Sequence, residues 1–194
     1  MPDGFDIIAL AASAGGLKAL TEVLAALPAR FPTAIVVVQH LDPRHRSLMA
    51  DILGRRTAIQ VREAVDGERI QSGIAYIAPP DRHLLINMDS SISLTRTELV
   101  HFLRPSADLL FESVAASFRE RAIAVVLSGT GSDGSMGVKA IKKTGGTVIV
   151  QDMRSAEFTG MPEAAERTGI ADFILPLEEI AGALQTLVGV GRAA

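Results

Sequence analysis

Three residues of types that can work together as a hydrolase fall where strand-like runs end. Ser13 closes the run DIIALAAS and is followed by Gly15 and Gly16. His40 closes AIVVVQH, and Asp133 sits in SGTGSDG directly after AIAVVLS. A serine hydroxyl is a weak nucleophile until a neighbouring base removes its proton, and an imidazole does so best when an acid holds it in the right tautomer. Two of the three have a plainer reading: Ser13 as a helix N-cap, His40 as a satisfied histidine at a strand end. A metal reading joins His40, Asp42 and His45 in one loop, but no fourth ligand stands at a diagnostic spacing. No motif surrounds His45, His83 or His101, which are expected at the surface or on a substrate rim.

For Ser13, His40 and Asp133 to meet, a scaffold must bring strand ends together. In an open parallel α/β sheet the carboxyl ends of the strands line one crevice, where ligands bind. The pattern along the chain predicts such a scaffold. Residues 5–12 read as a buried strand, and Leu17, Leu20, Val23, Leu24 and Leu27 then keep helical spacing. TAIVVVQ is a second buried strand, and LMADIL a short helix with Ser47 as its N-cap. IQVREA and GIAYIAP read as sheet strands, and HLLINM with SISLTR as a surface hairpin around Asp89. Ser106 then opens a helix through Leu110, Phe111, Val114 and Phe118. AIAVVLS, GTVIVQD and ADFILP are strands, with helices at GSMGVKAIKKTG, MPEAAERTG and LEEIAGALQTLV. The expected fold is a doubly wound, mostly parallel, Rossmann-like α/β sheet with a small antiparallel hairpin, in one domain over residues 1–194.

Composition agrees with that scaffold. The 194 residues are 48% hydrophobic but only 4% aromatic, so the apolar mass is aliphatic, as a sheet covered on both faces requires. Cysteine is absent, which excludes disulfides, thiolate metal sites and thiol catalysis. The net charge is −3 with no basic stripe, against binding of nucleic acid or an anionic membrane. Asp3 and Asp6 precede the first apolar run, which is wrong for a secretory signal, and no run approaches the roughly 20 residues of a membrane span. The expected location is the cytoplasm.

One motif competes with the hydrolase reading. Gly129-x-Gly131-x-x-Gly134 matches the dinucleotide fingerprint, and Asp152 ends the next strand about twenty residues on. Asp133 argues against it, because its carboxylate lies at the start of the following helix, where a pyrophosphate would have to sit. A dinucleotide-binding oxidoreductase stays open at this point, as does a non-catalytic module of the same fold.

The segments AASAGGLKAL, VVVQHLDP, DGERIQSGIAYIAPPDRH, RPSADLLFESVA, VVLSGTGSDGSMG and QDMRSAEFTGMPEAA, in this order, resemble the catalytic domain of CheB-type protein-glutamate methylesterases. The resemblance implies a Ser13, His40 and Asp133 triad, with oxyanion donors from the backbone near Ala14, Gly15 and Gly16 and at Thr130. It implies hydrolysis of γ-glutamyl methyl esters on the methylated cytoplasmic region of a chemoreceptor, deamidation of receptor glutamines, and no metal or organic cofactor. Three departures stand out: Ala14 replaces a family threonine, Thr130 replaces a frequent methionine, and the 194 residues are expected to hold the methylesterase domain without a receiver domain. The wording is closer to the receiver-less CheB-like domains found beside CheR-like methyltransferases, so such a methyltransferase is an expected partner. Arg104 is a candidate for substrate contact, since receptor methylation regions are acidic. Phe158, Thr159 and Met161 belong to a matched loop expected at the cleft border.

Overall fold

The structure is a computed structural model that describes residues 5–41, 47–100 and 102–190. Its centre is a seven-stranded sheet in the order β3-β4-β2-β1-β7-β8-β9. The strands are β1 (Ile7–Ala12), β2 (Ala34–Gln39), β3 (Gln60–Glu63), β4 (Ile74–Ile77), β7 (Ala122–Val126), β8 (Thr147–Gln151) and β9 (Phe173–Leu175). Every pairing among them is parallel. The hairpin is a separate antiparallel pair, β5 (His83–Ile86) and β6 (Ile92–Thr95).

Two helical layers cover the sheet. In β1, Ile8, Leu10 and Ala12 face α1 (Gly16–Ala25), α2 (Met49–Gly54) and α6 (Leu177–Leu187). Ile7, Ala9 and Ala11 face α3 (Ala107–Phe118), α4 (Ser135–Lys143), α5 (Gly160–Glu166) and the hairpin. This two-sided burial is why the central strands read as unbroken apolar runs rather than alternating ones. Burying each large aliphatic side chain contributes about 1.5–3 kcal/mol. The hairpin is less superficial than the sequence suggests. Leu84, Ile86 and Ile92 are buried, and Ser113 and Ser117 of α3 bond the N–H and C=O of Ile86. Ser47 accepts from Met49 N, but Leu48 is the residue at the N-cap of α2.

The chain runs outward from β1 through β2 to β4 and β3, then returns to β7 on the other side of β1. The strand order therefore reverses beside β1, and the carboxyl ends of β2, β1 and β7 flank the resulting crevice. No helix among the described residues is long and apolar enough to cross a membrane.

Candidate active site

Ser13 and His40 follow directly on β1 and β2, whose register pairs Ala12 with Gln39. His40 N–H donates to Ala12 O at 3.1 Å, and Ser13 N–H to Ser128 O at 3.0 Å, so the ladder continues past the strand ends. The register makes Ser13 and His40 cross-strand neighbours on the face that carries Ala11 and Val38, the face covered by α3. Asp133 reaches the same place from the loop after β7. Its Oδ2 lies 2.8 Å from His40 Nε2. The imidazole thus carries its proton on Nε2 and leaves the Nδ1 lone pair for a hydroxyl. Ser13 Oγ makes no hydrogen bond among the described residues. Catalytic bonds of this kind commonly tighten only around substrate.

The Asp133 carboxylate is held on every side. Oδ2 also accepts from Ala107 N at 2.6 Å, while Oδ1 accepts from Ser106 Oγ and Asp108 N, both at 3.0 Å. Burial alone would push this carboxyl up. The bond from His40 and the N–H groups of Ala107 and Asp108 more than offset it and hold the group below the usual carboxylate range. Asp133 therefore stays ionised, as the partner of an imidazolium must.

This geometry corrects one expectation. Asp133 does not occupy the start of α4, the helix that follows it; it caps α3. The N-terminus of α4 is filled by Asp108 of α3, whose Oδ1 accepts from Met136 N at 3.0 Å and Gly137 N at 2.7 Å. The two helices exchange caps. Asp108 is buried and held above its ordinary value, first by desolvation, with the nearby Asp133 charge adding to it and the N–H bonds opposing. The fingerprint glycines thus lead to a helix end already occupied by a side chain. Asp152, read as a ribose acid, is gripped instead by Arg154 through its backbone N–H and guanidinium, which pulls the carboxyl down to about 2.

Beside Ser13, Gly15 has φ of 73°, a left-handed conformation that glycine adopts without strain. A Cβ there would also fall 2.8 Å from Ser128 Oγ. The N–H groups of Ala14, Gly15 and Thr130 have no partner among the described residues. Gly16 differs from the expectation: its N–H is donated to Ser13 O at 2.9 Å, so it braces the loop rather than offering a donor to an oxyanion. Ser128 ties the loops together, donating to Ala14 O at 2.9 Å and accepting from Phe158 N at 3.0 Å. Phe158 and Thr159 are exposed beside the loop after Ser13, whereas Met161 is buried under Gly129.

A cleft of about 290 Å³ opens beside His40, walled by Leu41, Leu99, Phe102 and Leu103 and by the Asp81–Arg104 pair. Arg104 is engaged on all three nitrogens. Nε and one Nη bond Asp81 Oδ1 at 2.8 and 2.6 Å, and the other Nη bonds Thr97 O at 2.7 Å. The structure thus places Arg104 in the cleft wall as a clamp on Asp81 and the Thr97 carbonyl, with four of its five N–H donors engaged and one N–H on the Asp81-side Nη without a partner among the described residues.

His83 departs most from its expectation. It is completely buried, accepts from Ser106 N through Nδ1 at 3.1 Å, and donates from Nε2 to Glu98 O at 3.1 Å. A backbone N–H can only donate, so this histidine is neutral and its tautomer is fixed. Burial lowers its pKa, with the Glu98 carbonyl opposing. It stands behind the N-cap serine that holds Asp133. Asp42, His45 and His101 lie outside the described residues.

Sequence reasoning also passed over Gln39, which is buried at the end of β2. Its Nε2 donates to Ser13 O at 2.7 Å and His40 O at 3.0 Å. The available signal was an amide closing a strand otherwise built of alanine, isoleucine and valine.

A family model described as CheB methylesterase matches residues 8–184. This chain belongs to the CheB methylesterase family. The crystal structure of the Thermotoga maritima CheB methylesterase catalytic domain superposes with a TM-score of 0.91 at 34% identity, covering 95% of this chain and 100% of that one. A relative from Leptospira interrogans (strain 56601) is 41% identical over 177 residues, 91% of this chain and 92% of that protein. The protein-glutamate methylesterase/protein-glutamine glutaminase of Moorella thermoacetica is 39% identical over 189 residues. That match takes in 95% of this CheB-family chain but 45% of the Moorella protein, so the chain spans about half the length of that relative.

Proposed function

We propose that this CheB-family chain is a protein-glutamate methylesterase that removes methyl esters from glutamate side chains in the methylated cytoplasmic region of a bacterial chemoreceptor. The observation that carries the reading is the 2.8 Å contact between His40 Nε2 and an ionised, fully coordinated Asp133, on the sheet face and edge that also carry Ser13. His40 Nδ1 takes the Ser13 proton as Oγ attacks the ester carbonyl. Asp133 stabilises the imidazolium that forms. The unpartnered N–H groups of Ala14, Gly15 and Thr130 are the donors for the oxyanion, each worth about 3 kcal/mol in the transition state. Methanol leaves with the proton from His40, and water then hydrolyses the acyl-enzyme to free glutamate. All of these groups belong to the chain itself, and no step calls on a metal or organic cofactor.

The same acyl chemistry on a glutamine side chain releases ammonia instead of methanol. The paired name of the Moorella relative, which includes a glutaminase, favours this second reaction. A CheR-like methyltransferase is the partner that would supply the ester, and the cytoplasm is where both would meet the receptor. The decisive experiment is Ser13→Ala assayed for methanol release from methylated receptor. Turnover should vanish while the melting temperature stays put. Release within a few-fold of the unsubstituted protein would end this reading.

A further inference from the structure

We propose that Gln39 is a positioning residue of the ester-hydrolysis site, holding the backbones of nucleophile and base in one fixed relation. The proposal rests on the esterase reading above. Among the described residues, Gln39 Nε2 is the single group that donates to both the Ser13 carbonyl and the His40 carbonyl. Two acceptors around that atom require it to be the NH₂ end of the amide. Its Oε1 is buried with no hydrogen-bond partner among the described residues, and it lies against Gly16, where a Cβ would strike Oε1 and fall 2.8 Å from Cδ.

Packing alone does not explain an amide here. Methionine or leucine would fill the space without stranding an acceptor, and a stranded buried acceptor is normally selected against. Nor does the sheet need the link, because His40 N–H to Ala12 O and Ser13 N–H to Ser128 O already join the strands. What the amide adds is orientation. Ser13 O receives two donors, Gly16 N–H at 2.9 Å and Gln39 Nε2 at 2.7 Å. In a trans peptide the C=O and the following N–H point in opposite directions. Fixing Ser13 O on Gln39 Nε2 and Gly16 N–H therefore turns Ala14 N–H the opposite way, away from Gln39 and free to meet the oxyanion. The bond to His40 O fixes the base on the neighbouring strand by the same group. Gly16 is required at its position because Gln39 must lie flat against it.

Such a residue acts on the transition state more than on substrate binding, so its loss should appear in kcat. The test compares Gln39→Met, a near-isostere without donors, with Gln39→Glu. Three quantities are read: the labelling rate of Ser13 by a serine-directed phosphonate, kcat and KM for methanol release from methylated receptor, and the melting temperature. Q39M should lower labelling and kcat by about 10²-fold, with KM within twofold and melting within a few degrees. Q39E supplies the rescue: protonated, it donates one O–H to one carbonyl; ionised, it donates none. The ratio of Q39E to Q39M rates should therefore rise as pH falls. A Q39M protein labelled at the unsubstituted rate overturns the proposal. So does a loss that merely follows melting in both variants with a rate ratio flat in pH. Failure of the unsubstituted protein to label at Ser13 would overturn the esterase reading itself, which keeps the two outcomes apart.

Discussion

Replacing Asp133 by asparagine tests both of its duties at once. The carboxylate accepts from His40 Nε2, Ala107 N, Ser106 Oγ and Asp108 N. Two of these donors are backbone N–H groups that cannot reverse, and they sit on different oxygens. Asparagine has one oxygen, so one N–H must face an NH₂ group and go unpaired, at about 1–3 kcal/mol. The remaining bonds lose their charge assistance as well. The expected destabilisation is about 3 kcal/mol, or roughly 6–12 °C in melting temperature for a domain of this size. Ala107 N makes the shortest bond, at 2.6 Å, so the asparagine oxygen should stay on that side, where it also keeps His40 in its working tautomer. The loss in kcat should then reflect only the missing charge opposite the imidazolium, about 10²-fold, rather than the roughly 10⁴-fold of a reversed tautomer. Because folding lowers the Asp133 pKa, its contribution to stability is fully present above the unfolded value of about 3.9 and is lost as pH falls through the folded one. The acid limb of the melting profile should therefore shrink in D133N. Calorimetry across pH with methanol-release kinetics decides. Melting unchanged from the unsubstituted protein would refute the capping argument, and a 10⁴-fold loss would refute the orientation argument.

Two further outcomes follow from the same geometry. Burial lowers the His83 pKa, so its stabilising contribution is complete above the unfolded value of about 6.5 and declines as pH falls below it toward the lower folded value; melting should drop as pH falls below about 6.5, and His83→Asn, which can still accept from Ser106 N–H, should flatten that drop, whereas an unchanged pH profile in the variant would count against a buried neutral imidazole. A methyl group on Gly129 would strike Met161 Sδ and lie 2.9 Å from Ser13 Cβ; Gly129→Ala should cut phosphonate labelling of Ser13 at least tenfold, and adding Met161→Ala should restore it only in part, since the contact with Ser13 remains.

The scaffold was open to reading because its signals are local. Unbroken aliphatic runs mark strands buried on both faces, and glycines after β1 and before α4 mark sharp turns into helices. Since ligands gather at strand ends in this architecture, Ser13, His40 and Asp133 could be picked out before any contact was known. What escaped is non-local. Sequence adjacency assigns Asp133 to α4, whereas the carboxylate bonds the first N–H groups of α3, and Asp108 takes the place at α4. His83 has no motif around it, and its burial depends on α3 and the loop at Glu98 folding over the hairpin. That Arg104 also clamps Asp81 and the Thr97 carbonyl could not be read from its neighbours in the chain. Gln39 could be read only as the last residue of a strand, because its acceptors lie on two different segments.

The exchange of caps between α3 and α4 bears on how such sequences should be compared. An aspartate that both tunes a histidine and seals a helix is under two constraints, and the second survives the loss of the first. In a descendant that has abandoned ester cleavage, the hydroxyl and the imidazole are at liberty to drift, while this carboxylate remains pinned by the architecture. Its persistence is therefore a poor witness to chemistry, and a serine at the end of the first strand is the better one.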